Sequence, residues 1–308
     1  MTTLRELLCD YLAMRRALGF KLRTDGTGLL SFVAFMEQAQ ADYISTDLAL
    51  AWATQPTSVQ PARWAQRLSY VRGFARYCSA IDPRTEIPPS GLLPFPHRRP
   101  SPYFFTDEDI ERLLQGALQW PAQDGLANHT FSCLFGLLGV SGLRISEALG
   151  LTLDDVDLDE GILTISSTKF GKSRLVPLHA TTVEVLVDYR ACREQFLVGR
   201  QVPHWFVNSH GERLGYDCVI HAFHRLTAGL PSQPGRSRPR LHDLRHRFAL
   251  VTLLHWYRDG QDVQQRLPVL SAFLGHVETR DTYWYLSACP QLLDAAKERL
   301  ENHWGQGS

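Results

Sequence analysis

Apolar residues in the first third of the chain recur at the spacing of one helix face. Leu4, Leu7, Leu8, Tyr11 and Leu12 follow the i, i+3, i+4, i+7, i+8 rhythm, and Gly19 offers a stop. Shorter helical stretches follow at 28–39 and 46–54. A longer one spans 62–79, with Trp64, Leu68, Val71, Ala75 and Cys78 as its apolar stripe. The rhythm then breaks. Pro88, Pro89, Pro94, Pro96, Pro100 and Pro102 rule out helix or central strand, so 88–102 reads as an extended, semi-stiff linker. Beyond it, Thr106-Asp107-Glu108-Asp109 has the form of a capped helix start. TFSCLFGLLGV at 130–140 is apolar on every side, which predicts a buried helix. Ile162–Ser166 and Arg174–Leu178 read as strands, joined by the hairpin connection 168–172. Further helices are predicted at 181–197, 216–228, 241–257, 268–275 and 290–301. The expectation is a mainly α protein with a small antiparallel β-sheet (α+β). A helical bundle at 1–87 and the linker at 88–102 precede a second domain at 103–308, which ends in the helix 290–301.

Composition narrows the class. A chain of 308 residues, 44% hydrophobic and 21% charged, is neither disordered, collagen-like nor a disulfide scaffold. No apolar run approaches the roughly 20 residues of a membrane crossing, and MTTLRELLCDYLAMRR is unlike a secretory signal. No membrane partner is therefore expected. Cys9, Cys78, Cys133, Cys192, Cys218 and Cys289 have no C-x-x-C spacing. They read as buried thiols of a reducing compartment, which predicts a cytoplasmic protein.

Net charge is zero, which on average disfavours a nucleic-acid partner. The distribution says otherwise. Residues 63–99 hold seven Arg against Asp82 and Glu86, and residues 213–247 hold seven Arg against Asp217 and Asp243. Gene base composition would enrich Arg over Lys, and so would recognition of phosphate by guanidinium forks. Arg63 and Arg67 flank one side of the 62–79 stripe, and Arg72 and Arg76 the other. They are either solvated stems or contacts along a phosphate backbone.

Four segments carry candidate chemistry. Arg144 lies between apolar residues with Glu147 three positions on, an intrahelical ion pair or a partly buried cation with its partner. Lys169 sits on the hairpin turn, where a lysine is ordinarily solvated. In Leu241-His242-Asp243-Leu244-Arg245-His246-Arg247, His242, Arg245 and His246 share a helix face. The two histidines could ligate zinc, although no third ligand is placed. Alternatively His242 and Arg245 converge on one anion. Leu274-Gly275-His276 resembles a helix cap, and Tyr285, nine residues on, resembles a core aromatic. Singly, each structural reading suffices. Jointly, these residues supply an anion site, proton-transfer groups and an oxygen nucleophile, a set that suits attack on a phosphodiester.

Taken together, G-L-R-I-S-E-A-L-G-L at 142–151, the hairpin Lys followed by R-L-V-P-L at 174–178, H-D-L-R-H-R-F-A at 242–249, L-G-H at 274–276 and Tyr285 resemble the tyrosine recombinase (phage integrase) family. The resemblance covers about 103–290. The N-terminal third is similar to the family's core-binding domain in character alone, and Y-W-Y-L-S-A is similar to the transposon-encoded branch. The resemblance implies a site-specific DNA recombinase that cleaves and rejoins strands through a 3′-phosphotyrosyl intermediate, with no metal, cofactor or ATP. In that reading Arg144 and Arg245 clamp the scissile phosphate and Glu147 orients the Arg144 neighbourhood. Lys169 protonates the departing 5′ oxygen, His242 is an acid/base, His276 donates to the phosphate and Tyr285 attacks. Tyr283 competes with Tyr285, and the spacing from Gly275-His276 favours Tyr285. Lys172 competes with Lys169, and the distance to R-L-V-P-L favours Lys169. Candidate DNA contacts are Arg63, Arg67, Arg72, Arg76, Arg98, Arg99, Lys172, Arg236, Arg238, Arg240 and Arg247. Arg247 departs from the small hydroxyl residue common in the family, and overall neutrality is a second departure. The implied partners are double-stranded DNA held in a C-shaped clamp and a homo-tetramer on two paired sites, with a second recombinase or accessory protein as an option. The implied location is the nucleoid. The stripe Leu292, Leu293, Ala296 and Leu300 would dock on a neighbouring subunit or pack in cis. A DNA-binding protein on the same fold that does not cleave, and a metal-dependent hydrolase built on His242 and His246, are the competing readings.

Overall fold

Helix α1 (Leu4–Ala17) starts where the sequence supplies a reciprocal cap. The Glu6 carboxylate accepts from the Thr3 N–H at 2.7 Å, and the Thr3 hydroxyl accepts from the Glu6 N–H. Its buried face is Leu4, Leu7, Leu8, Tyr11 and Leu12, the stripe read from the sequence. Helices α2 (Arg23–Gln38), α3 (Thr46–Thr54) and α4 (Pro61–Ser79) share one core with it, in which Phe32, Trp52 and Phe74 are fully buried. On α4 the buried set is Leu68, Tyr70, Val71, Phe74, Ala75 and Cys78. Trp64 is half-buried, its indole N–H donating to the Pro56 carbonyl at 2.7 Å. The computed structural model describes residues 2–95, 101–121, 125–166, 173–233, 238–276, 278, 280–288 and 297. The chain divides into two compact units, residues 1–99 and 100–308.

In the second unit, Thr106 caps α5 (Asp107–Leu118) by the same reciprocal bond, here with Asp109. Helix α6 (Ala127–Ser141) is the central buried helix, although Val140 at its end is exposed. The single turn α7 (Ile145–Ala148) follows Gly142. Three short strands, β1 (Val156–Asp157), β2 (Ile162–Ile165) and β3 (Arg174–Pro177), form an antiparallel sheet in the order β1-β2-β3. Leu163 pairs with Val176, and both are buried. Two-residue β1 is too short to leave an alternation in the sequence. Helices α8 (Ala180–Leu197), α9 (Tyr216–Thr227), α10 (Leu241–Arg258), α11 (Val263–Leu274) and α12 (Arg280–Ala288) complete the described elements. Helix α11 begins five residues before the expected 268. Asp262 caps it by accepting from the Gln264 and Gln265 N–H groups, and Pro268 lies inside. Helix α12 was not anticipated. The helix expected at 290–301 and the hairpin connection 168–172 fall outside the described residues, apart from Lys297.

Two cores lie in this unit. One joins α5, α6, the sheet, α8 and α9. The other gathers Phe104, Leu250, Leu253, Leu267, Leu270, Leu274 and Tyr285 around α10, α11 and α12. The cysteine expectation needs correction. Cys78 and Cys133 are buried and Cys192 half-buried, but Cys9 and Cys218 are exposed, because each stands one position off its helix's apolar stripe. All five are free thiols, and Cys289 lies outside the described residues. No helix among the described residues is long and apolar enough to cross a membrane.

Gly142 ends α6 at φ +61°, where a Cβ would lie 2.5 Å from Phe248 and 2.9 Å from Leu274. Left-handed backbone costs an L-residue about 1–2 kcal/mol, and overpacking a further 1–3. Gly142→Ala is therefore expected to lower unfolding free energy by about 2–5 kcal/mol in urea titration. An unchanged midpoint would contradict this packing.

Candidate active site

The site is assembled at the C-terminal end of α11. Gly275 turns left-handed at φ +66°, its N–H donates to the Ala272 carbonyl, and the His276 N–H donates to the Ser271 carbonyl, both at 2.9 Å. These two hydrogen bonds close the helix end, and no backbone donor among the described residues reaches the next three carbonyls. Each accepts from a different arginine. Arg174 Nε donates to Phe273 O at 2.8 Å, Arg245 Nη2 to Leu274 O at 2.7 Å, and Arg144 Nη2 to Gly275 O at 2.8 Å. The three side chains come from β3, from α10 and from the residue that opens α7. Carbonyls at a helix C-terminus carry partial negative charge, which holds the guanidiniums together against their repulsion.

Glu147 supplies the remaining counter-charge. Its Oε1 accepts from Arg144 Nη1 at 2.7 Å and Arg174 Nη1 at 3.1 Å. Its Oε2 accepts from the Arg144 N–H and Arg174 Nη2, both at 2.8 Å. Burial alone would raise this carboxyl, but the two guanidiniums and the backbone donor outweigh it and hold the pKa at about 2. Arg245 is 1% exposed and also donates to Gly142 O at 2.6 Å. Burial, and then the charge of Arg144, push its pKa down to about 10, so it remains a cation at neutral pH. Its Nε is buried and has no hydrogen-bond partner among the described residues. Three guanidiniums facing one carboxylate leave a positive centre.

Helix α12 brings Tyr285 to this centre. The phenol is 4% exposed, and its oxygen lies 2.9 Å from His246 Nδ1. The Tyr285 ring lies 6.4 Å from the His276 ring at an interplanar angle of 15°. His276 Nδ1 is 2.7 Å from the Thr282 hydroxyl. Burial, followed by Arg245 and Arg144, pushes the His276 pKa down to about 4, so this imidazole is neutral at physiological pH. His242, exposed, meets the His246 ring edge-on at 4.5 Å. Among the described residues no group of three or more His, Cys, Asp or Glu is placed to hold a metal ion. Tyr283, the competing phenol, is 47% exposed.

Residues 103–291 match the profile of the Phage integrase family. The chain belongs to that family. A Sinorhizobium fredii protein named integrase/recombinase y4rB is 50% identical over 310 residues, covering 99% of each chain. Tyrosine recombinase XerD of Pseudomonas putida is 32% identical over 246 residues, covering 77% of this chain and 74% of the other. In architecture this integrase-family chain is similar to XerH bound to its difH substrate after cleavage (TM-score 0.66, 21% identity, 91% and 80% covered). It is also similar to a lambda integrase tetramer on a Holliday junction (TM-score 0.65, 17% identity, 92% and 77% covered). The mostly helical fold with its small antiparallel sheet is that of these recombinases.

Arg144, Glu147, His242, Arg245, His276 and Tyr285, scattered over 142 positions of this integrase-family sequence, are gathered at one place. Lys169, Lys172, Arg98, Arg99 and Arg236 lie outside the described residues. The other arginines divide. Arg67 stacks 3.7 Å from the Trp52 ring and donates to Trp52 O at 2.8 Å. Arg72 donates to Pro88 O at 2.7 Å and to Pro89 O at 2.8 Å, tying α4 to the start of the linker. Arg240 pairs with Asp243 at 2.9 Å, and Arg247 pairs with Asp107. Arg63, bonded to Gln66, and Arg76 and Arg238 are exposed.

Two residues were missed. Arg174 was read as strand sequence. The signal was the inverted polarity of β3, in which Leu175 faces out at 61% exposure while Arg174 faces inward, and an inward arginine must be paired. His246 was weighed as a metal ligand alone.

The depressed pKa of Glu147 fixes a pH dependence. The carboxylate's contribution is complete above the unfolded value of 4.5 and is lost as pH falls through about 2. Glu147→Gln is therefore expected to destabilise the catalytic unit by a few kcal/mol at pH 7. The gap between variant and wild type narrows steadily below pH 4.5 in calorimetry. A gap independent of pH would show that the ionised carboxylate is not what the arginines hold.

Proposed function

We propose that this protein cuts and rejoins double-stranded DNA through a covalent 3′-phosphotyrosyl intermediate and exchanges strands between two paired sites. The observation that carries this reading is the pair Arg144 and Arg245, anchored on the adjacent carbonyls of Gly275 and Leu274 beside a buried phenol. A phosphodiester oxygen offers those guanidiniums a fuller charge than a carbonyl does. Arg144 and Arg245 then grip the non-bridging oxygens and offset the charge that builds on phosphorus in the transition state. Glu147 and Arg174 hold Arg144 in register. Neutral His276 donates to the phosphate, and His242 adds an acid/base at the exposed edge. Tyr285 attacks phosphorus, the P–O5′ bond breaks, and Lys169 gives the leaving oxygen its proton. A free phenol has a pKa of about 10, so its attack depends on this cationic setting. The ester conserves the energy of the broken bond, and a 5′-hydroxyl reverses the step without ATP. The nearby carboxylate is engaged by two guanidiniums, so charge neutralisation falls to arginine, lysine and histidine rather than to a divalent ion.

The assembly we infer is a tetramer on two paired sites, with DNA contacted through exposed Arg63, Arg76 and Arg238 and through the basic segments holding Arg98, Arg99, Lys172 and Arg236. The lambda integrase tetramer on a Holliday junction supports it by analogy. A transposon link is supported by the similar architecture of the Tn1549 transposon integrase on transposon-end DNA (TM-score 0.64, 16% identity).

The test uses a duplex recovered by this protein from a random-sequence pool, then nicked so that the cleaved fragment diffuses away. Wild type is expected to form a covalent protein–DNA adduct in EDTA, and Tyr285→Phe none. Arg144→Gln and Arg245→Gln are each expected to slow adduct formation by roughly 10²–10³-fold. An adduct that survives Tyr285→Phe would reassign the nucleophile. Specific binding by wild type without any adduct would leave a DNA-binding protein that does not cleave.

A further inference from the structure

Helix α10 carries two imidazoles one turn apart, and they are not equivalent. His242 is exposed. His246 is half-buried, and its Nδ1 lies 2.9 Å from the phenolic oxygen of Tyr285. Its ring is fixed from three sides, 4.5 Å from His242, 5.3 Å from Trp284 and 5.4 Å from Tyr285. Trp284 and Tyr285 are themselves in edge contact at 5.4 Å. A ring held this way presents Nδ1 to the oxygen that must attack phosphorus. The distance is that of a hydrogen bond, and the tautomer of a neutral imidazole that carries its proton on Nε2 would accept from the phenol through Nδ1.

We propose that His246 is the general base for Tyr285, a catalytic role distinct from that of His242; this inference rests on the phosphotyrosyl reading above. As the Tyr285 oxygen closes on phosphorus, the phenolic O–H bond breaks and its proton passes to His246 Nδ1, giving an imidazolium. The new O–P bond forms, the P–O5′ bond breaks, and the 5′ oxygen leaves as a hydroxyl with a proton from Lys169. On rejoining, the 5′-hydroxyl returns its proton to the Lys169 amine as it attacks phosphorus, and the imidazolium returns its own to the departing phenolate. The groups around His246 fit this role. On its own helix stands the imidazole of His242, and on α12 stand the indole of Trp284 and the phenol itself. Beyond the phenol, His276 stays uncharged at neutral pH, and Arg245 interacts with the negative charge that Tyr285 acquires.

The experiment measures single-turnover adduct formation on the nicked, selected duplex for wild type, His246→Gln and His246→Phe. Gln can accept a hydrogen bond from the phenol but cannot take its proton. Both variants are expected to bind the duplex and to lose roughly 10²-fold or more in rate. The wild-type rise of rate with pH, which follows loss of the imidazole proton, is expected to vanish in both. A duplex whose leaving oxygen is replaced by sulfur needs no proton donor for departure, and the defect is expected to persist on it. Recovery on the sulfur duplex would assign His246 to the leaving group and overturn the proposal. A His246→Gln rate within about threefold of wild type, or faster than wild type, would also overturn it. Should either variant fail to fold, ¹⁵N spectra of wild type and Tyr285→Phe decide. The His246 Nδ1 resonance is expected to move when the phenolic hydroxyl is removed, and an unmoved resonance rejects the contact. Absence of any adduct in wild type would instead remove the phosphotyrosyl reading itself.

Discussion

Three successive carbonyls at the end of one helix organise the catalytic unit. Once Gly275 has turned the chain, Phe273, Leu274 and Gly275 present oxygens that no backbone donor among the described residues reaches, and Arg174, Arg245 and Arg144 fill them. The bonds link β3, α10 and the α6–α7 junction to α11, so the sheet and three helices share one anchor. A side chain at Gly275 would meet Arg174 Nη1 at 2.9 Å, and the left-handed φ there already disfavours one. The glycine is thus required twice, by its own dihedral and by the guanidinium packed against it.

Gathering like charges is costly unless something opposes them. Here the opposition is built from the partial charges of the helix end and from one buried carboxylate, which accepts from two of the three arginines. The balance is incomplete by design of the parts present. One carboxylate against three guanidiniums leaves a positive centre, and Arg245 keeps a buried Nε without a partner among the described residues. In the reading proposed above, an arriving phosphate meets guanidiniums that are already oriented, with that of Arg245 already desolvated. Tyr285, His246 and His276 approach the same centre from α10 and from α12 and the end of α11, so the phenol and the arginine cluster lie close along one stretch of chain.

Much of this was legible from residue order. The amphipathic rhythms at Leu4–Leu12 and along 62–79 became α1 and α4, and the reciprocal cap at Thr106 fixed α5. Helix α12 was hidden because Thr282-Tyr283-Trp284-Tyr285 reads as core aromatics, and what places it is packing against α10 and α11 rather than its own periodicity. The site residues Arg144, Arg245 and Tyr285 stood out because cations and a late tyrosine occurred where packing alone did not ask for them. Arg174 and His246 were overlooked for a common physical reason. Their importance lies in partners distant in sequence, Glu147 and Phe273 for the one, Tyr285 for the other, and spacing along the chain carries no trace of such pairs. Arg67 and Arg72 likewise have partners that spacing does not reveal, Trp52 for the one and the Pro88–Pro89 carbonyls for the other.

The central claim is that the carbonyl-anchored arginines form one anion site shared with the Tyr285 phenol. A crystal structure of the protein on its selected duplex, trapped before cleavage, tests it most directly. The account predicts that Arg144 and Arg245 both reach oxygens of a single phosphate whose phosphorus faces the Tyr285 oxygen, while Arg174 keeps its bonds to Glu147 and Phe273. Guanidiniums of Arg144 and Arg245 bound to different phosphates, or a phosphorus out of reach of the phenol, would contradict it.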